Sequence, residues 1–222
     1  MFQKVLVAED LDSISLSVIK ALEELQIPVI DHVKYCDEGL IKIKKALNEK
    51  KPYDLLISDL SFKADHRKIN ISSGETMIEQ INAVQPKLKK IVFSIEDKSY
   101  RIKALFSDLG INAYVTKGRN SIEELKNAVE RTFNNEENIL SSDLNFNFND
   151  KSLIEIESYD ISILSLLAKG YILENISNDF KANSITPNGT SSIEKRINKL
   201  KIYFKANNNV HLIAIAKDFG LV

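Results

Sequence analysis

Along residues 2–135, short apolar runs alternate with stretches whose apolar residues recur every three or four positions. "KVLVAED", "PVIDHVKYC", "YDLLISDL", "LKKIVFSIE" and "INAYVTK" have the length and apolar density of strands. "DSISLSVIKALEELQ", "DEGLIKIKKALNEK", "SGETMIEQINAV", "SYRIKALFSDLG" and "SIEELKNAVERTF" follow them with helical spacing. Five strand–helix units in succession predict an α/β domain with a parallel five-stranded sheet and helices on both faces. In "YDLLISDLSF", Leu55, Leu56 and Ile57 read as a strand buried on both sides, and an acid, Asp59, arrives where the chain leaves the sheet.

The pattern then breaks. "NNEENILSSDLNFNFNDKS" holds six Asn and no amphipathic period, which predicts a linker over residues 135–152. Residues 153–222 carry helical periodicity only. "ESYDISILSLLAKG" ends on Gly170, a candidate C-terminal cap. In "YILENISNDFKA", Ile172, Ile176 and Phe180 recur every four residues. "TSSIEKRINKLKIYF" puts Ile193, Ile197, Leu200 and Phe204 on one face, with a capping box from Ser191 to Glu194. "NNVHLIAIAKDFG" closes a small all-α domain of four helices. Domain boundaries at 1–134 and 153–222 follow.

Charge sharpens this division. The 222 residues hold 30 Lys and Arg against 31 Asp and Glu, so no global excess advertises nucleic acid or membrane. By segment, residues 1–135 carry 21 basic and 20 acidic side chains, 136–150 none and four, and 151–222 nine and seven. A nucleic-acid partner must therefore be argued locally. A single cysteine, Cys36, excludes an internal disulfide and a Cys-rich zinc site. The apolar N-terminal stretch is too short for a signal peptide and no run is long enough to span a bilayer, so a cytoplasmic protein without membrane contact is expected.

In a doubly wound sheet, ligands bind beyond the carboxyl ends of the strands. Strand one ends in Glu9 and Asp10, strand three in Asp59, strand four in Ser94 and strand five in Lys117. Three clustered carboxylates repel one another unless a cation sits among them. A hard divalent ion with oxygen ligands, Mg²⁺ above all, suits the cluster. One carboxylate can then act as an ionised nucleophile toward a phosphoryl group, with Lys117 and Ser94 on its oxygens. A phosphatase or other hydrolase on the same acids lacks a separate acid–base residue, so no dedicated enzyme is expected.

On these residues, the acidic pair Glu9-Asp10, Asp59 in "LLISDL", Ser94 in "IVFS", and Tyr114 and Lys117 in "AYVTKG", residues 2–134 resemble the receiver domain of bacterial two-component response regulators. The resemblance implies a flavodoxin-like (βα)5 fold with Asp59 as phosphoacceptor. It implies Glu9, Asp10, Asp59 and the backbone carbonyl of Ser61 as the Mg²⁺ site, and Ser94 and Tyr114 as a switch pair. Ser61 and Glu96 stand where they influence the phosphoryl lifetime. The stretch "LSFKADHRKINISSG", with His66, is longer than the family's loop and lacks its proline.

In the second domain, a turn between the second and third helices suggests helix-turn-helix, the third helix lying in the major groove. Its outer face offers Lys195, Arg196, Lys199 and Lys201, with Arg196 suited to a guanine edge or a phosphate. "ISILSLLAKGYILENISNDF" and "SSIEKRINKL" resemble the DNA-binding domain of NarL/LuxR-type regulators, which adds Ser192 to the DNA-contacting candidates. "KANSITPNGT" is longer than the family's turn, Arg196 replaces a common histidine and Tyr203 a common lysine. The expectation is a homodimeric, phosphorylation-controlled transcription factor served by a sensor histidine kinase or phosphotransfer protein and binding double-stranded DNA. The alternative is a receiver whose C-terminal helices grip protein.

Overall fold

The computed structural model describes residues 1–63, 69–144, 156–219 and 221–222, with backbone alone at 99 and 100. His66 and all of 145–155 lie outside the described residues. The chain divides into two compact units, Met1–Phe148 and Asn149–Val222.

In the first unit the expected alternation is present: β1 (Lys4–Ala8), α1 (Asp12–Glu24), β2 (Val29–Val33), α2 (Cys36–Asn48), β3 (Leu55–Ser58), α3 (Gly74–Val84), β4 (Lys89–Ser94), α4 (Ser99–Leu109), β5 (Ala113–Thr116) and α5 (Ser121–Phe133). All strand pairs are parallel, in the order β2-β1-β3-β4-β5 with a sixth strand, β6 (Ile139–Leu140), beyond β5. The sheet is thus six-stranded rather than five-stranded, and β6 comes from the segment expected to be linker. Two residues are too few to show a period. What seats them is backbone pairing and the burial of Ile139.

Successive strand residues point to opposite faces, so the sheet has two cores. Leu6, Leu56, Val92 and Tyr114 pack with α2, α3 and α4 through Ile43, Met77, Ile81 and Ile102. Val5, Val7, Leu55, Ile57, Phe93 and Val115 pack with α1 and α5 through Val18, Leu22, Leu125 and Val129. Each such side chain contributes about 2 kcal/mol of burial. Strands covered on both faces are held firmly, and whatever follows their last residue is positioned by the whole sheet.

Gly74 opens α3 because nothing larger fits. A Cβ there would stand 1.9 Å from the Asp59 carbonyl oxygen. Its N–H donates to the Leu60 carbonyl (2.9 Å), and Ser73 caps the helix by accepting the Thr76 N–H.

The second unit contains α6 (Ser158–Ala168), α7 (Leu173–Ala182), α8 (Thr190–Tyr203) and α9 (Asn209–Asp218) around Ile163, Leu164, Ile176, Phe180, Ile193, Ile197, Leu200 and Leu212. Gly170 follows α6 at φ +84°, the left-handed position expected of a helix-ending glycine. Two local expectations fail. Ile172 lies before α7 as its N-cap and is exposed, because α7 begins one residue later than the apolar period. α8 begins at Thr190 with Gly189 as N-cap, so Ser191 and Glu194 sit inside the helix and form no capping box. The long turn before α8 is pinned at several points. Ile185 packs on the core, Ser177 donates to the Asn188 carbonyl (2.6 Å), and Tyr159 to that of Pro187 (2.6 Å). Among the described residues, no helix is long and apolar enough to cross a membrane.

Candidate functional site

The five residues expected at the strand ends meet at one edge of the sheet. Asp59 follows β3, its N–H held by the Ala8 carbonyl (3.0 Å), and is 7% exposed. Its Oδ1 accepts the Ser94 hydroxyl (2.6 Å) and the N–H groups of Leu60 (2.6 Å) and Ser61 (3.3 Å). Its Oδ2 accepts the Lys117 ammonium (2.6 Å). The same ammonium reaches Glu9 Oε2 (2.7 Å), and Glu9 Oε1 accepts the Leu11 N–H (3.1 Å). Asp10 Oδ2 accepts the Lys63 N–H (2.8 Å).

Among the described residues, one lysine faces three carboxylates here. Glu9, Asp10 and Asp59 each offer an oxygen within 4.8 Å of the others, so with all three ionised the described side chains leave two negative charges uncompensated. Burial raises the Glu9 pKa, and the Lys117 ammonium does not fully offset it. Crowded oxygen donors with surplus negative charge fit a hard divalent cation. Ser61, expected to add a backbone carbonyl, gives its N–H to Asp59 and forms an isolated bridge with Ser73.

Ser94 and Tyr114 are both turned inward. The Tyr114 ring is 0% exposed and its hydroxyl donates to the Glu96 carbonyl (2.8 Å). Burial pushes that hydroxyl well above its usual pKa, which keeps it a neutral donor. The Glu96 carboxylate is engaged at the start of α4. Its carboxylate accepts the N–H groups of Asp97 and Lys98 and the Arg101 guanidinium (2.9 Å), which also reaches Glu75 (3.1 Å).

Sequence reasoning missed several partners. His32 bonds the Glu9 carbonyl through its ring (2.8 Å), and Gly74 lets α3 approach Asp59. A β2 histidine in register with Val7 lies one strand away from Glu9, which the predicted topology contained. Nothing in the local sequence marked Arg101.

In the second unit, Ser192, Lys195 and Lys199 are exposed on α8 and Lys201 is half-buried. Arg196 requires a correction. It does not stand ready for a guanine edge or a phosphate. Its guanidinium grips Asp160 on α6 with two bonds, Nε to Oδ1 (2.5 Å) and Nη2 to Oδ2 (2.6 Å), and Asp160 is 0% exposed. Asp160 also accepts the Glu157 N–H (2.9 Å), and its hydrogen bonding to the guanidinium raises the Arg196 pKa. A fully buried carboxylate demands such a partner, and that demand outweighs any surface role.

No protein-family model and no curated protein sequence matches the chain. Solved structures match its fold and cover both the α/β unit and the helical unit. One is a structure of RcsB dimers bound to two parallel DNAs, at 19% identity and TM-score 0.66, covering 97% of this chain and 98% of that one. Another is the RcsB response regulator of Salmonella typhimurium, at 18% identity and TM-score 0.65, covering 97% and 99%. A third is RcsB from Salmonella enterica serovar Typhimurium, bound to promoter rprA with the phosphomimetic BeF3⁻, at 19% identity and TM-score 0.61, covering 98% and 99%. At these identities the likeness is one of fold.

Proposed function

We propose that the chain is a response regulator in which phosphorylation of Asp59 controls DNA binding, and so transcription, by the C-terminal helices. The observation that carries the proposal is the Asp59 carboxylate, held by Ser94, Leu60 and Lys117 beside Glu9 and Asp10. An Asp59 oxygen attacks phosphorus of a phosphohistidine on a sensor kinase or phosphotransfer protein. A P–O bond forms, the P–N bond breaks, and its electron pair leaves with the imidazole. Glu9, Asp10, Asp59 and the Ser61 carbonyl would hold Mg²⁺, which supplies charge neutralisation for the incoming phosphoryl oxygens. Lys117 takes a phosphoryl oxygen in exchange for the Asp59 carboxylate, and the Ser94 hydroxyl donates to another. The chemistry ends on the protein itself, so the chain acts as a phosphoacceptor and not as a dedicated enzyme.

For the second unit, the support is its fold likeness to DNA-bound RcsB and the cationic side chains Lys195, Lys199 and Lys201 on α8. Lysines at this face neutralise phosphates, and Ser192 lies near the helix start where base edges are read. A homodimer on two half-sites supplies the affinity that one small module lacks. Such a partnership belongs in the cytoplasm.

The test is acetyl-phosphate labelling with Mg²⁺, together with duplex binding across a salt titration. We expect labelling in the wild type, none in Asp59→Asn, and affinity that falls steeply with salt. Equal labelling of both proteins would sink the phosphoacceptor assignment. Absence of duplex binding at low salt would favour a protein-gripping C-terminal unit.

A further inference from the structure

Residues 139–144 are stitched to the outer edge of β5. The Ile139 N–H donates to the Asn112 carbonyl (3.1 Å), and the Ser141 N–H to that of Tyr114 (3.0 Å). Ser141 Oγ accepts the Thr116 N–H (3.1 Å), and the Ser142 hydroxyl donates to Glu124 on α5 (2.5 Å). Ile139 is buried in the core under α1 and α5. Leu140 and Leu144 pack on the other side, against the cluster that contains Tyr114, Ile102 and Leu105.

Leu140 is the direct cross-strand partner of Tyr114, on the same face of the sheet. The Tyr114 hydroxyl is tied to the carbonyl of Glu96, two residues beyond Ser94, and Ser94 is bonded to Asp59. A continuous set of contacts therefore runs from the Asp59 carboxylate to residues 139–144. We propose that the β5 edge is a docking surface for this chain's own 139–144 segment, and that the state of Asp59 governs its occupancy. With the tyrosine ring inward, Leu140 and Leu144 have their seat. A ring swung outward takes space on the same face, where direct cross-strand neighbours approach to about 5 Å. A phosphoryl group on Asp59 offers the Ser94 hydroxyl a stronger acceptor, fixes the 94–96 segment and holds the ring inward, so it strengthens docking.

Two consequences follow. A seated β6 occupies the strand edge through which β5 would otherwise pair with another chain. It also shortens the tether to the C-terminal unit. From the end of α5 to the start of α6 the chain has residues 134–157 in between, 24 residues, but only 145–157, 13 residues, remain beyond a docked segment. At full extension that is about 80 Å against about 45 Å. Docking thus changes the effective concentration at which two tethered DNA-binding units meet adjacent half-sites.

This inference rests on the phosphoacceptor reading, and the experiment separates the two. Amide hydrogen exchange is followed on the full chain with Mg²⁺, with and without beryllofluoride, while the ¹⁹F signal of bound beryllofluoride reports occupancy of Asp59. We expect exchange at Ile139 and Ser141 to slow at least tenfold when the adduct forms. Ser141→Ala should speed exchange at Ile139 and reduce its response to the adduct while leaving the ¹⁹F signal intact. An adduct that forms without altering protection at Ile139 and Ser141 overturns the docking proposal alone. An adduct that never forms overturns the phosphoacceptor reading and this proposal with it.

Discussion

The two units each bury a carboxylate against a cation, and the two arrangements are built to opposite ends. Around Asp160 the pairing is bidentate: its buried carboxylate takes two parallel bonds from the Arg196 guanidinium and a third from a backbone N–H, while the exposed Glu157 carboxylate lies 3.9 Å from the same guanidinium. Around Asp59, among the described residues, it is open: three carboxylates share one ammonium, and Lys117 divides itself between Glu9 and Asp59. Bidentate pairing fixes geometry and exhausts the charges it joins. An unbalanced cluster retains a demand for a further cation and a nucleophile that its partners can release. Burial and short distances are common to both sites. Charge balance tells the staple from the functional site.

Breaking the staple should give the largest effect. Arg196→Met leaves Asp160 buried without its partner and should cost the C-terminal unit about 3 kcal/mol, read as a lower denaturation midpoint. Adding Asp160→Leu should recover most of that loss, since a buried ion pair replaced by apolar side chains is often neutral. A double variant no more stable than Arg196→Met would show that the pair does more than satisfy itself. Mg²⁺ should change neither midpoint.

The open site should respond in the contrary way. Lys117→Met leaves Glu9 and Asp59 facing each other and should cost about 2 kcal/mol at pH 7, less than a wholly unpartnered buried charge because Asp59 keeps its bonds from Ser94 and from the Leu60 and Ser61 N–H groups. Here Mg²⁺ should restore stability. A tenfold excess over Kd contributes about 1.4 kcal/mol, a rise of about 3–6 °C in Tm for a chain of this size. The pH dependence has a definite sign. Burial raises the Glu9 pKa above 4.5, so the folded protein holds that proton more tightly than the unfolded chain does. Stability without metal therefore falls as pH rises from about 4.5 through the raised value, and a constant penalty remains above it. The Mg²⁺-induced rise in Tm should be full at pH 8 and lost on acidification through that window. An equal rise at pH 4 and pH 8 would remove Glu9 from the metal site.

Legibility differed between the units for a physical reason. The Asp59 site was readable because a parallel sheet converts sequence position into spatial position: strand ends in register lie side by side, so Glu9, Asp59, Ser94 and Lys117 had to converge. β6 was not readable, since its pairing rests on backbone groups and one buried isoleucine. In the helical unit, position converts only into angle about an axis. Arg196 lies at the margin of the stripe made by Ile193, Ile197 and Leu200, where inward and outward are both open. The deciding residue, Asp160, is 36 positions away on another helix, and nothing near Arg196 announces it. Ser191 shows the same limit, because Gly189 begins the helix earlier than the Ser–Glu spacing suggested.

The smallest effects belong to the outer face of α8, and they sharpen the contrast within a single helix. Lys199 is exposed and Arg196 is bound to Asp160, though only three residues separate them. If Lys199 neutralises a DNA phosphate, Lys199→Ala should weaken binding evenly across sequences and lower the slope of log K against log salt by about 0.9. Lys195→Ala should behave in the same way. Arg196→Met, measured well below its lowered midpoint so that the unit stays folded, should leave the slope unchanged, since its charge never reaches the nucleic acid. A slope that drops for Arg196→Met and not for Lys199→Ala would mean that the guanidinium leaves Asp160 to contact the duplex, and the closed pair would then be a switch instead of a staple.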